Sequence, residues 1–182
     1  MKAMDFAGSG VVHVTGGLAA FIGATIVGPR KAFVQKNLKT PMYGPIFQTI
    51  GTFVLWLGWF GFNGMSSMTV VGRSQVAARA MMNTAISGAT AGICAGVLGG
   101  VLDKADVTDG RFYVKFTAAN NGVLGGLVAV TAGCALMEPY AAFLVGALSA
   151  PVSVLGSRWL KRPGFLRGLI GIDDVSDGLD LK

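Results

Sequence analysis

Residues 5–30 read DFAGSGVVHVTGGLAAFIGATIVGPR, a run with an acid at its head, one imidazole at His13 and no further charge until Arg30. A helix crossing a hydrocarbon core about 30 Å thick needs roughly 20 consecutive apolar residues, and this stretch supplies them. It is too long for a signal peptide and ends in Gly-Pro-Arg-Lys rather than at a small-residue cleavage site. Polar and apolar residues do not alternate along it, so it reads as a helix and not as a barrel strand.

The rest of the chain agrees with this reading. Only 13% of the residues are charged, against about 25% in an ordinary soluble domain. The mean hydropathy is +0.60. The 28 glycines would weaken soluble helices, but small residues let membrane helices pack closely. Cys94 and Cys134 both sit inside apolar runs and read as small hydrophobes, neither a disulfide framework nor a metal site.

Long uncharged runs predict five spans, near 6–28, 43–66, 77–101, 118–136 and 138–157. The implied fold class is all-α, a polytopic membrane helix bundle. The last two spans are separated by MEPY, where Pro139 suits a first helical turn and Glu138 its positive end. Twelve of the fifteen basic residues fall after the first, third and fifth spans, and the exceptions are Lys2, Arg73 and Arg79. The positive-inside rule puts those twelve in the cytoplasm, with the N-terminus outside and the C-terminus inside. The net charge of +6 is then a topology signal, not a footprint for nucleic acid. An odd number of spans starting outside suits the middle section of a longer protein.

On an unbroken α-helix, His13 lies about 12 Å below Asp5 and roughly 80° around from it, so the two are not expected to pair. The imidazole's neighbours at helical spacing are Ser9, Gly10, Gly16 and Gly17, a trench of small side chains. An ionisable group at this depth faces a bundle interior or a pathway. Burial alone leaves open whether His13 bonds a neighbouring helix or lines a path. Asp5 reads as a helix-start residue accepting backbone N–H groups.

The second span ends GWFGFNGMSS, residues 58–67, with Trp59, Phe62, Asn63 and Ser66 on one helical face. Such a face is either an aromatic belt at the lipid interface or a binding surface for a small cation. Gly88, Gly92 and Gly96, and likewise Gly122, Gly125 and Gly126, form stripes that read as close helix packing. Thr131 either bonds its own helix backbone or faces a pathway.

These pieces resemble one family, the ammonium transporters of the Amt/Mep type. Residues 5–30 resemble its fifth-helix motif and GWFGFNGMSS its sixth helix. NNGVLGGLVAVTAGCA, residues 120–135, is similar to its eighth, and EPYAAFLVGALSA, residues 138–150, to the start of its ninth. The resemblance implies a pore through which ammonium or ammonia crosses the bilayer. His13 matches the first of the family's two pore histidines, Phe62 an aromatic gate, and Trp59 a neighbouring pore-side aromatic. Ser66 matches a hydroxyl at the outer recruitment site, Asp5 the acid supporting that vestibule, and Thr131 a pore-side threonine. It also implies a homotrimer in the plasma membrane, with one pore in each subunit and no cofactor.

The family has eleven helices, and this chain resembles the fifth to the ninth. The second pore histidine comes after an IDDP segment, but GIDDVSDGLDLK has Val175 where proline is usual and ends at Lys182. The expectation is therefore the central section of an ammonium transporter. A truncated, non-transporting subunit that docks onto full-length relatives is the alternative. An enzyme or haem protein is not expected, since the chain has no second histidine and no Cys-x-x-Cys-His.

Overall fold

The computed structural model describes residues 4–27, 44–69, 71–104 and 113–160. A π-helical segment, Ser9–Val14, runs into α1 (Thr15–Val27). Then come α2 (Gly44–Met65), α3 (Ser74–Lys104), α4 (Phe116–Thr131) and α5 (Pro139–Leu160). No strand occurs among the described residues. The basic loop holding Arg30, Lys31, Lys36 and Lys39, the position of Arg111, and the tail from Lys161 onward lie outside them.

Ser9–Val27, Ser74–Asp103 and Pro139–Leu160 are long and apolar enough to cross a membrane. Gly44–Met65 matches them in length, at 22 residues. Phe116–Thr131 is shorter, at 16 residues. Two helices differ clearly from the limits read in the sequence. The third helix runs past its apolar stretch at both ends, because Ser74 and Gln75 on one side, and Asp103 and Lys104 on the other, end hydrophobicity without ending helical hydrogen bonding. The fourth stops at Thr131 and continues as turns over 132–136, where Gly133 takes part in three turn hydrogen bonds.

Helices α3, α4 and α5 form the packed centre, and α2 lies across α3 and α4. Small side chains make this possible. A methyl added at Gly126 would lie 2.5 Å from Ala91 Cβ and 2.6 Å from the Ser87 carbonyl oxygen, and one at Gly146 would lie 2.5 Å from that same oxygen. The backbone of α3 at Ser87 is thus wedged between α4 and α5, and Ser87 Oγ donates to the Gly126 carbonyl at 2.9 Å. The remaining core is mostly alanine, with Leu127, Val130 and Cys134 filling the space beside α4. In a bilayer such close approach carries association, because burying leucine against lipid gains little. The glycine stripes are packing surfaces, as their spacing suggested.

The charged ends also tie helices together. Asp103 at the end of α3 pairs with Lys115 before α4 and with Arg158 near the end of α5. At the opposite end of α3, Arg79 meets Glu138 at 3.2 Å. Helix α1 is different, since none of its residues is buried and methyls added at Gly16, Gly17 or Gly23 would meet nothing within 4 Å among the described residues.

Candidate functional site

The approach to His13 begins at Gly8, whose backbone has φ 90° and ψ 35°. Only glycine takes that left-handed conformation without strain. The turn lets Asp5 fold back and accept from the N–H groups of Ser9 at 2.6 Å, Gly10 at 2.9 Å and Val11 at 3.3 Å. Desolvation works to raise the Asp5 carboxyl, but the N–H groups of Val11, Gly10, Ser9 and Gly8 outweigh it and hold it below its ordinary value. Asp5 therefore occupies the helix-start position that its place in the sequence implied.

The chain beyond Asp5 is not an unbroken α-helix. Residues 5–8 are non-helical and Ser9–Val14 is π-helical, so α-helical spacing does not describe the surroundings of His13. The segment is pinned to α4 from two points. Phe6 N donates to the Ala132 carbonyl at 2.9 Å, and Ser9 Oγ donates to the Val128 carbonyl at 3.2 Å.

These restraints carry the His13 ring to α2. Its centroid lies 4.9 Å from that of Trp59, with planes 22° apart, and 5.4 Å from that of Phe62. Trp59 and Phe62 are themselves 5.9 Å apart. The three rings form one cluster between the π-helical segment and α2. Nε2 of His13 is buried and has no hydrogen-bond partner among the described residues. A neutral imidazole nitrogen can donate or accept according to tautomer.

Trp59 is held from behind. Its indole Nε1 donates to Thr131 Oγ1 at 3.0 Å, and Thr131 Oγ1 donates to the Leu127 carbonyl at 2.7 Å. The Thr131 hydroxyl thus bonds its own helix and anchors the aromatic cluster at once. Ser66 lies one helical turn beyond Phe62, and its Oγ donates to the Phe62 carbonyl at 2.6 Å. Its proton is committed, which leaves its oxygen free to accept. The structure brings His13, Trp59, Phe62 and Thr131 together, with Ser66 and Asp5 outside the ring cluster.

The sequence did not mark out Thr84 or Asn83, and it gave Asn63 no role beyond a place on the α2 face. Asn63 is fully buried, and its Nδ2 donates to Thr84 Oγ1 at 2.9 Å. Asn83 is equally buried and holds the turn between α4 and α5, with Nδ2 donating to the carbonyls of Cys134 at 2.7 Å and Met137 at 2.8 Å. Amides inside apolar runs were the available signal, since a buried amide requires partners.

The chain is similar to known proteins. The Ammonium Transporter Family profile aligns with residues 1–181. The chain is 35% identical over 164 residues to ammonium transporter 1 member 1 of Solanum lycopersicum, covering 83% of this chain and 32% of that protein. It is 34% identical over 178 residues to ammonium transporter Amt2 of Archaeoglobus fulgidus, covering 95% and 34%. Among solved structures it resembles Candida albicans Mep2 at 26% identity, with a TM-score of 0.67 over 97% of this chain and 35% of that one. It shares the fold of Rh50 from Nitrosomonas europaea, with a TM-score of 0.71 over 97% of this chain and 42% of that one. The chain spans about a third of the length of the curated relatives it matches. With the apolar helices described above, these matches make it an integral membrane protein, and the chain belongs to the Ammonium Transporter Family.

Proposed function

We propose that this chain is the central section of a transporter that conducts ammonium across a membrane, and that His13 stands on the conduction path. The observation that carries the reading is the imidazole packed against Trp59 and Phe62, with a buried Nε2 that no described residue engages. The relatives' names as ammonium transporters give the substrate class.

In this reading Phe62 and Trp59 offer aromatic faces to a small cation. Ser66 Oγ, whose proton goes to the Phe62 carbonyl, accepts from an N–H of ammonium arriving outside. Past the rings, a hydrated ion meets an apolar passage at high desolvation cost. Nε2 of His13 can exchange hydrogen bonds or a proton with a nitrogenous solute, which potassium cannot match. Asp5 supports the entrance by fixing the start of the π-helical segment, and Thr131 holds Trp59. The positive-inside rule supports an external N-terminus and a cytoplasmic C-terminus. The family resemblance supports three such subunits in the plasma membrane, with no enzymatic role.

The test is ammonium uptake by proteoliposomes containing the full-length protein of which this chain is part. His13→Ala is expected to lower uptake by about tenfold, or 1.4 kcal/mol of barrier, or to admit potassium. Unchanged uptake with unchanged potassium exclusion would remove His13 from the path.

The unburied α1 favours a second reading, in which the chain docks as a non-transporting subunit onto full-length relatives. An immunoblot against residues 102–117 separates the two. A native product far above 18.7 kDa supports the transporter reading. A product of that size that co-purifies with a longer relative supports docking.

A further inference from the structure

We infer that Asn63, acting through Thr84, is a positioning residue that sets the aperture at Phe62 and thereby the size of nitrogenous cation admitted. The inference rests on the transport reading above and adds a determinant of its selectivity.

Two residues of α2, one helical turn apart on the same face, reach across to different helices. Trp59 donates from its indole to Thr131 on α4, and Asn63 donates from its amide to Thr84 on α3. Phe62 lies between them in sequence. The two acceptors are built alike: Thr131 Oγ1 donates to the Leu127 carbonyl, and Thr84 Oγ1 donates to the Ala80 carbonyl at 2.6 Å. Each threonine has therefore spent its only proton on its own helix and can face α2 only as an acceptor.

This fixes the orientation of the Asn63 amide. Its NH2 group must face Thr84, since two acceptors placed together would both go unsatisfied. Asn63, Thr84 and Thr131 are all fully buried, so neither link is shared with solvent. Asn63 Oδ1 is also buried and has no partner among the described residues, which leaves the Thr84 bond as the amide's described anchor. A methyl added at Gly64 would lie 2.5 Å from the Met81 methyl, so α2 meets α3 closely at this level. Ser66 completes the restraint by donating to the Phe62 carbonyl. The backbone carrying the Phe62 ring is thus held on α3 by Asn63, while its ring partner Trp59 is held on α4.

Removing the Asn63 anchor frees α2 to shift at Phe62 without altering any group in the ring cluster. The expected signature is a change in which solute passes, distinct from a general loss of protein. The experiment measures ammonium and methylammonium uptake by the full-length protein in proteoliposomes, for wild type, Asn63→Leu, Thr84→Val, the double variant and Thr84→Ser. Asn63→Leu and Thr84→Val should each raise the ratio of methylammonium to ammonium uptake by about threefold or more. The double variant should go no further than either single one, and Thr84→Ser should keep the wild-type ratio. If Asn63→Leu fails to assemble, the two Thr84 variants still decide the matter. Where the wild type transports ammonium, wild-type ratios in the Asn63→Leu and Thr84→Val variants, or effects that multiply in the double variant, overturn the role of Asn63. A wild type that moves no ammonium overturns the transport reading and this one with it.

Discussion

The imidazole of His13 is stacked on the indole of Trp59 at 4.9 Å, and that indole is tied through Nε1 to Thr131 on a third element of the fold. The position of the His13 ring is therefore set partly by a hydroxyl on α4. Trp59→Phe keeps an aromatic face but loses the donor, leaving Thr131 Oγ1 buried with one bond fewer. A stability loss of about 1 kcal/mol is expected, together with weaker discrimination between ammonium and potassium. Thr131→Val should reproduce the selectivity change. Thermal unfolding in detergent and paired uptake assays check both, and a Trp59→Phe protein that melts and discriminates like wild type would show the tie to be idle.

The wedge at Ser87 gives a second expectation. Gly126→Ala and Gly146→Ala each drive a methyl to within 2.6 Å of the Ser87 carbonyl oxygen, which is backbone and cannot swing aside. Each should destabilise by about 1–3 kcal/mol through overpacking. Gly156→Ala, also on α5, places its methyl where nothing lies within 4 Å among the described residues and should melt close to wild type. Equal melting temperatures for Gly126→Ala and Gly156→Ala would contradict the close packing of α3 and α4.

These sites mark what the sequence made legible. Gly122 and Gly126 announce close packing through spacing alone, because on a helix four residues apart means one face. Asp5 announces a helix start through its place before an apolar run. The Ser9–Val14 π-helix was not legible, since it depends on Gly8 turning left-handed and on three N–H groups converging on Asp5. The links of Trp59 to Thr131 and of Asn63 to Thr84 were hidden for another reason. Periodicity says which face of a helix is special but not which helix it meets, and those partners lie 72 and 21 residues away.

The charged knot at Asp103 leads to a salt-dependent expectation. Its carboxylate serves Lys115 and Arg158, and all three side chains are partly exposed, at 22%, 42% and 40%. Asp103→Asn should cost about 1 kcal/mol, since partly exposed pairs contribute little singly and more as a network. The cost should shrink at high ionic strength, where such pairs are screened. Melting curves for wild type and Asp103→Asn at low and high salt check this. A gap independent of salt would mean that Asp103 acts through shape or uncharged hydrogen bonds.

Asp5 yields an expectation in pH. Desolvation acts to raise its carboxyl, but backbone N–H groups bond the ionised form and hold it below its ordinary value. A depressed folded-state value means that the carboxylate's stabilising effect is complete above the unfolded value of about 3.9 and is lost as pH falls through the lower folded value. Asp5→Ala should therefore melt below wild type near neutral pH, with the gap closing as pH falls beneath about 3.9. Asp5→Asn separates charge from shape, since its side-chain oxygen can still accept from part of the 9–11 backbone and its stability should not track this pH range. The π-helical segment carries His13, so loosening it at Asp5 should also move the imidazole relative to Trp59. Quenching of tryptophan fluorescence by the ring stack should therefore weaken in Asp5→Ala at neutral pH, and less so in Asp5→Asn. A wild-type gap that persists unchanged at acid pH would mean that Asp5 acts as a neutral hydrogen-bonding group, and the order of the entrance would then not depend on its charge.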